Sequence, residues 1–321
     1  NVKTLNEDII RLYEQLTDLT MNRAELLNYN QYSNSIFHKL LPEQVYNDIK
    51  GKKLTIIPDY ILQQIPFEAF VTENSPPKYL IETTEVRYAY SMSYLDAKTQ
   101  ILSTPQKELY AVAPVQFASL GLPDLVFSGS EIEDVQKIFP GNIALNNEAT
   151  KAAFTTDLED YRIVHLSTHA DIGENEDPWI AFSDNKMFLN EIYATKNQAD
   201  MVVLSACNTS IGELKKGEGA MSLARGFFHS GAKSVISSLW STYDKSSKEL
   251  MTSFYKSLKE GSTKSAAMRK AKLDYIKKYR ESAIAPAYWN ALIVIGDNSP
   301  IIDKANLLPY LSWFIFAILL L

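Results

Sequence analysis

The chain has one cysteine, Cys207, in Leu204-Ser-Ala-Cys207-Asn-Thr209, directly after the apolar run Met201-Val-Val-Leu204. His169 stands in a matching place, in Leu166-Ser-Thr-His169-Ala170, after Arg162-Ile-Val-His-Leu166. A thiol attacks as its thiolate, and it needs a partner that takes and returns protons near neutral pH. Imidazole is the side chain suited to that. Taken singly, the thiol reads as a small buried hydrophobe and the histidine as a loop residue. Taken together, at the ends of two strands about 5 Å apart, they read as a catalytic pair. The thiolate would attack a peptide carbonyl, and the imidazole would protonate the departing amine. Backbone N–H groups at Cys207 and Ala170 would hold the oxyanion. His165 lies inside a strand, and His38 and His229 lie in helical patterns; all three read as structural. Four scattered histidines and one thiol give no zinc spacing, and no metal or cofactor is expected.

The elements around this pair follow from periodicity. Leu5 to Leu41 recurs at helical spacing and stops at Pro42. Short strands are expected at Leu54–Ile57 and Leu109–Val112, with a strand pair over Tyr79–Tyr90 and helices over Ser91–Leu102 and Glu131–Phe139. Thr150 is placed to cap a helix running to about Leu158. Strands follow at Arg162–Ser167, Met201–Ala206, Ser234–Trp240 and Trp289–Ile295. Between them, Asp171–Lys186 reads as a polar loop and Gly219–Ser230 as a helix stopped by Gly231. Asp244–Lys259 and Thr263–Tyr279 read as two helices parted by Gly261. Alternating strands and helices with near-continuous apolar strands imply a mostly parallel sheet covered on both faces. In such sheets the site lies at the carboxyl ends of the strands, where His169 and Cys207 stand.

The bulk composition bounds the function. The 321 residues are 46% hydrophobic and 22% charged, as in an ordinary globular protein. A net charge of -6 argues against a nucleic-acid partner. The basic run Lys270, Lys272, Lys277, Lys278 and Arg280 reads as a solvated helix face. A single thiol allows no intrachain disulfide and suits a reducing compartment. The chain starts at Asn1, which reads as a processed or cut product. Residues 307–321 carry no charge and read as part of a transmembrane segment, with Tyr310 and Trp313 at the interface. The expectation is a membrane-anchored protein with its catalytic domain on the cytoplasmic side.

Several segments resemble the signature blocks of CHAT domains, and they occur in family order. They are Ile57-Pro-Asp59, Ile65-Pro-Phe-Glu-Ala69, Val164-His-Leu-Ser-Thr-His-Ala170, Val202-Val-Leu-Ser-Ala-Cys-Asn-Thr209 and Gly217-Glu-Gly219 with Leu223-Ala-Arg225. Gly231-Ala-Lys-Ser-Val235, Ser238-Leu-Trp240, and Tyr288-Trp289 with Gly296-Asp297 complete the set. The resemblance covers roughly residues 50–297. It implies relatives among caspases, gingipains and separase, and a caspase-haemoglobinase-like α/β three-layer sandwich. The sheet would be mostly parallel and built from two related halves, of which only the second is catalytic. On that reading residues 1–45 are a helical lead-in, such as the end of a tetratricopeptide-type region through which an activating partner would act. Residues 46–150 are the non-catalytic half, 151–300 the catalytic half and 307–321 the membrane segment. Caspase-like enzymes usually have Gly after the catalytic histidine, where this chain has Ala170.

The same resemblance points to the substrate. Relatives that cut after Lys or Arg place an acid at the base of the first pocket, and in separase-like sequences it follows a Leu-Trp strand end. Here Leu239-Trp240 leads to Asp244, which is also well placed as a helix N-cap. Glu218 is a second substrate-binding candidate. The acidic loop Asp171, Glu174, Glu176 and Asp177 would attract basic substrates. The expected function is a cysteine endopeptidase acting on a protein or peptide after a basic residue. The alternative is a catalytically silent CHAT scaffold that binds protein partners. A nucleotide-binding reading of the sheet fails, because no Gly-rich fingerprint follows an early strand.

Overall fold

The computed structural model describes residues 2–92, 105–171, 177–205, 222–241, 243–279 and 285–302. Cys207, Glu218, Glu174, Glu176, Arg280, most of the helix expected over Ser91–Leu102 and the apolar run 307–321 lie outside the described residues. In chain order the strands are β1 (Lys53–Ile56), β2 (Val71–Asn74), β3 (Pro77–Tyr79), β4 (Glu85–Tyr88), β5 (Lys107–Ala113), β6 (Asn142–Leu145) and β7 (Tyr161–Leu166). They continue with β8 (Ala170–Asp171), β9 (Trp179–Ala181), β10 (Lys186–Phe188), β11 (Met201–Leu204), β12 (Ser234–Ser238) and β13 (Leu292–Gly296). The α-helices are α1 (Val2–Leu16), α2 (Arg23–Leu40), α3 (Glu43–Ile49), α4 (Leu80–Thr83) and α5 (Ser128–Ile138). They continue with α6 (Lys151–Asp157), α7 (Leu189–Ala194), α8 (Ser222–His229), α9 (Asp244–Lys259) and α10 (Lys264–Lys278).

Eight strands make one sheet in the order β1-β4-β13-β12-β11-β7-β5-β6. Every pair is parallel except β12 with β13. The sheet is thus two parallel blocks that run in opposite senses and meet at β12 and β13. The block β12, β11, β7, β5, β6 brings its carboxyl ends to one rim. Its inner strands are wholly buried at Ile163, Val164, Met201, Val202 and Ile236, as both-face burial requires. The connection from β5 to β6 moves outward and that from β6 to β7 moves back. Right-handed crossovers therefore place α5 and α6 on opposite faces. Helix α9 packs on α5, and α10 packs on α9, so the sheet lies between two helical layers.

Capping chemistry sets several boundaries. Thr150 accepts the Ala153 N–H, as expected, and starts α6. Gly261, at φ +86, separates α9 from α10. Gly231, at φ +122, has no room for a side chain: a Cβ there would lie 2.1 Å from the Asn197 carbonyl oxygen. That contact gives the Gly231-Ala-Lys block a physical reason.

Four expectations are corrected. The N-terminal helical stretch is two helices, because Asp18 turns the chain back onto Thr20 and Asn22 opens α2 in a capping box with Glu25. Tyr79–Tyr90 is not a strand pair: Leu80–Thr83 is helical, started by Glu82 accepting the Tyr79 N–H. The span Asp171–Lys186 holds β9 and the start of β10, which with β8 form a small antiparallel sheet. Lys272 is not solvated but fully buried, with Nζ 2.9 Å from Glu68 Oε1 and 2.7 Å from Asn290 Oδ1. Among the described residues no helix is long and apolar enough to cross a membrane.

Candidate active site

His169 follows β7 by three residues, and β7 pairs in parallel with β11, Leu166 opposite Leu204. Both candidate residues of the pair therefore follow neighbouring strands that end at the same rim. The His169 ring is fixed in two ways. Its Nε2 lies 2.7 Å from the Pro123 carbonyl oxygen, and the Phe117 ring stands edge-on with centroids 4.6 Å apart. A carbonyl only accepts, so Nε2 carries the proton and the neutral ring keeps its lone pair on Nδ1. The backbone is fixed as well: the Ala181 N–H donates to His169 O at 2.8 Å, and Thr168 Oγ1 donates to Ala181 O at 2.7 Å. Ala170 pairs with Ile180 in β9. Because His169 uses the preceding ladder position, the alternation of antiparallel bonds turns the Ala170 N–H away from β9.

Asp244 is the first residue of α9, and the N-cap position belongs to Tyr243 without a side-chain cap bond. The N-cap reading of Asp244 is therefore corrected. Its carboxylate reaches across instead, and Oδ2 accepts the Phe127 N–H at 2.6 Å. Oδ1 takes no hydrogen bond from the described residues. Burial raises the Asp244 carboxyl above the ordinary carboxylate range. The Phe127 N–H opposes that rise, the Glu131 carboxylate adds to it and His169 opposes it. Pro123, which holds the His169 ring, and Phe127, whose N–H Asp244 holds, stand four residues apart on one segment, and this places Asp244 and His169 in one neighbourhood. The end of β11 is tied to the same helix, since Ser205 Oγ and Ser247 Oγ lie 2.7 Å apart.

Beneath this rim lies a polar chain that the sequence reading took for plain core. His165 is fully buried in β7, with Nδ1 2.8 Å from Tyr255 Oη and Nε2 2.9 Å from Glu131 Oε1. It joins β7, α5 and α9, the elements nearest the candidate residues. Glu131 Oε2 is buried without a hydrogen-bond partner among the described residues.

The CHAT domain model matches residues 30–297, most of the sequence. The chain belongs to the CHAT domain family. No curated protein sequence matches it. Among solved structures it is similar to the Arg-specific cysteine proteinase gingipain R, at 12% identity and a TM-score of 0.53, covering 94% of this chain and 76% of that one. It is also similar to separase in the Saccharomyces cerevisiae separase–securin complex, at 13% identity and a TM-score of 0.51. That match covers 92% of this chain and only 22% of the separase chain. These likenesses show a shared caspase-like α/β fold with a mostly parallel central sheet.

Within this CHAT domain the described residues bring together His169, Ala170, Asp244 and the end of the strand that leads to Cys207. Asp171 lies in β8, beside the site. The segment Pro114–Phe127 belongs to the half expected to lack the site, yet it supplies Pro123 and Phe127. Sequence reasoning missed both, because each acts through its backbone. One signal was available: the segment follows the carboxyl end of β5, which lies beside β7 on the same rim. A cavity of about 530 Å³, lined by Leu26, Tyr79, Ile276 and Trp289 among others, includes neither His169 nor Asp244. Among the described residues no cluster of three or more His, Cys, Asp or Glu is placed to hold a metal.

Proposed function

We propose that this CHAT domain is a cysteine endopeptidase that cleaves a protein after a basic residue. Cys207 is the nucleophile, His169 the general base and acid, and Asp244 the acceptor for the basic side chain. The observation that carries the reading is the His169 Nε2–H bond to the Pro123 carbonyl. It gives the ring one tautomer and one orientation, which a base oriented by a third group requires. Cys207 comes two residues after Ser205, which directly follows β11, and β11 pairs in parallel with β7.

In the first step Nδ1 takes the thiol proton and the sulfur attacks the scissile carbonyl carbon. The oxygen becomes an oxyanion, to which the Ala170 and Cys207 N–H groups donate. The C–N bond then breaks and the amine leaves with the proton from His169. Water, deprotonated by Nδ1, attacks the thioester and releases the acid and the thiol. Gingipain R, an Arg-specific cysteine proteinase, shares only the fold, so the basic preference rests on Asp244. Oδ1 of that carboxylate is left for a guanidinium or ammonium, which a charge-assisted bond would hold. The acidic group Asp171 and Asp177 adds favourable field for such a substrate. The apolar run 307–321 is proposed as a membrane anchor, and recovery of the intact protein in the soluble fraction would refute that.

Peptide-library profiling of the wild-type protein beside Cys207→Ala tests the central reading. Cleavage should appear only in the wild type and should fall after Arg or Lys. Binding of library peptides without cleavage by either protein would instead mark a silent scaffold.

A further inference from the structure

One short segment touches both the base and the pocket acid. Pro123 O receives His169 Nε2–H at 2.7 Å, and four residues on the Phe127 N–H is held by Asp244 Oδ2 at 2.6 Å. Between these points the strap is stiff. Leu125 is buried with Phe117, Trp179 and Ala181 in a small cluster of its own. Its N–H donates to Val115 O at 2.9 Å, and its carbonyl accepts from Ser128 Oγ at 2.7 Å. Upstream, Val115 sits at φ +62 inside a tight turn closed by the Gln116 N–H on Pro114 O. A β-branched residue is strained in that region, and strain of this kind persists where the surroundings over-determine it.

We infer that the Pro123–Phe127 strap couples the two sites, so that a basic side chain seated on Asp244 sets the orientation of the His169 imidazole. The inference rests on the proposed roles of His169 and Asp244. A guanidinium on the carboxylate takes part of the negative charge that now holds the Phe127 N–H, and that bond lengthens or turns. The strap is anchored in its middle, so it rocks as a body and does not absorb the change locally. Pro123 O then moves relative to Nε2, and hydrogen bonds are steep in angle and distance. By reciprocity, the orientation of His169 alters the affinity of the pocket. Phe127 acts here as a positioning residue through its backbone. The consequence is a basic residue required for turnover as well as for binding.

The test compares peptide amides ending in Arg with isosteric, uncharged citrulline, on the wild-type protein, Phe127→Pro and Phe127→Ala. In the wild type the change to citrulline should lower kcat about tenfold or more and also raise KM. Phe127→Ala keeps the N–H and should keep that split. Phe127→Pro removes the N–H, and the change to citrulline should then act on KM alone. A wild-type effect on KM alone, or an equal kcat effect in Phe127→Pro, overturns the strap while leaving Asp244 as the pocket acid. Equal cleavage of both amides, or none of either, overturns the proposed function and the strap with it. The Phe127 φ of −93° must shift to suit proline, so a second measurement guards against misfolding. In imidazole ¹⁵N spectra of the wild type, benzamidine should shift His169 Nε2 with the same saturation as its binding. Binding with no movement of that resonance overturns the coupling.

Discussion

Lys272 Nζ lies 2.9 Å from Glu68 Oε1 with both side chains inside the protein, and the Tyr88 hydroxyl donates to the second Glu68 oxygen. The contact ties α10 to the segment between β1 and β2, 204 residues away in sequence. Glu68 and Asn290, the other partner of Lys272, stand within or beside the Ile65-Pro-Phe-Glu-Ala69 and Tyr288-Trp289 blocks. Breaking a buried pair leaves one charge unpaired. Lys272→Ala should therefore lower stability by roughly 3–5 kcal/mol. Replacing both partners, Lys272→Met with Glu68→Gln, should restore most of that loss. Urea unfolding of the wild type and the two variants checks both statements; equal loss in the single and double variants would contradict the pairing.

Tyr255→Phe should lower stability by about 1–3 kcal/mol, because it leaves His165 Nδ1 buried without its donor. Cys207 should still be alkylated by a thiol-reactive peptide analogue in that variant. His169→Ala should do the reverse, slowing the alkylation by about 10²-fold or more with little change in melting temperature. The two histidines stand four residues apart on one segment, and the pair of measurements separates the structural ring from the reactive one.

What the sequence showed and hid divides along physical lines. The strands β7, β11 and β12 were legible because burial on both faces leaves apolar residues in succession, throughout β11 and at Ile163-Val164 and Val235-Ile236 in the other two. Thr150 and Gly261 were legible because a cap and a left-handed residue have few chemical solutions. His169 and Cys207 stood out because their side chains carry the chemistry and each follows a strand. Pro123 and Phe127 did not, since a carbonyl and an N–H leave no mark in residue type. Lys272 was misread because its neighbours in sequence are solvated lysines, and only the fold brings Glu68 to it. The break between α1 and α2 could have been found from the capping-box spacing of Asn22 and Glu25. The strands β8, β9 and β10 have three residues or fewer, too short for any alternation to register.

Asp244→Asn separates pocket chemistry from local structure. The replacement amide oxygen can still accept the Phe127 N–H, so the start of α9 should stay in place. The charge that would hold a basic side chain is gone. We expect kcat/KM for an Arg-ending reporter to fall by about two orders of magnitude or more, with the melting temperature nearly unchanged. Unchanged cleavage would remove Asp244 from the pocket and move the search to Glu218 or the Asp171–Asp177 loop.

The pH dependence of substrate preference gives a test of the same carboxylate without a large structural change. Burial, aided by the nearby Glu131, raises the Asp244 carboxyl above the ordinary carboxylate range. The group must be ionised to pair with a cation. Discrimination between Arg and citrulline amides should therefore decline as pH falls, beginning above the range where an exposed aspartate protonates. Citrulline cleavage reports the His169 and Cys207 chemistry in the same protein, so the ratio of the two rates isolates Asp244. The linkage sign follows from the same shift. Between the unfolded and the raised native value the native state binds more protons, so this group makes stability fall as pH rises through that window. Asp244→Asn should flatten both the discrimination profile and that slope. A ratio that stays constant down to the pH at which exposed aspartates protonate would show that Asp244 does not pair with the substrate cation.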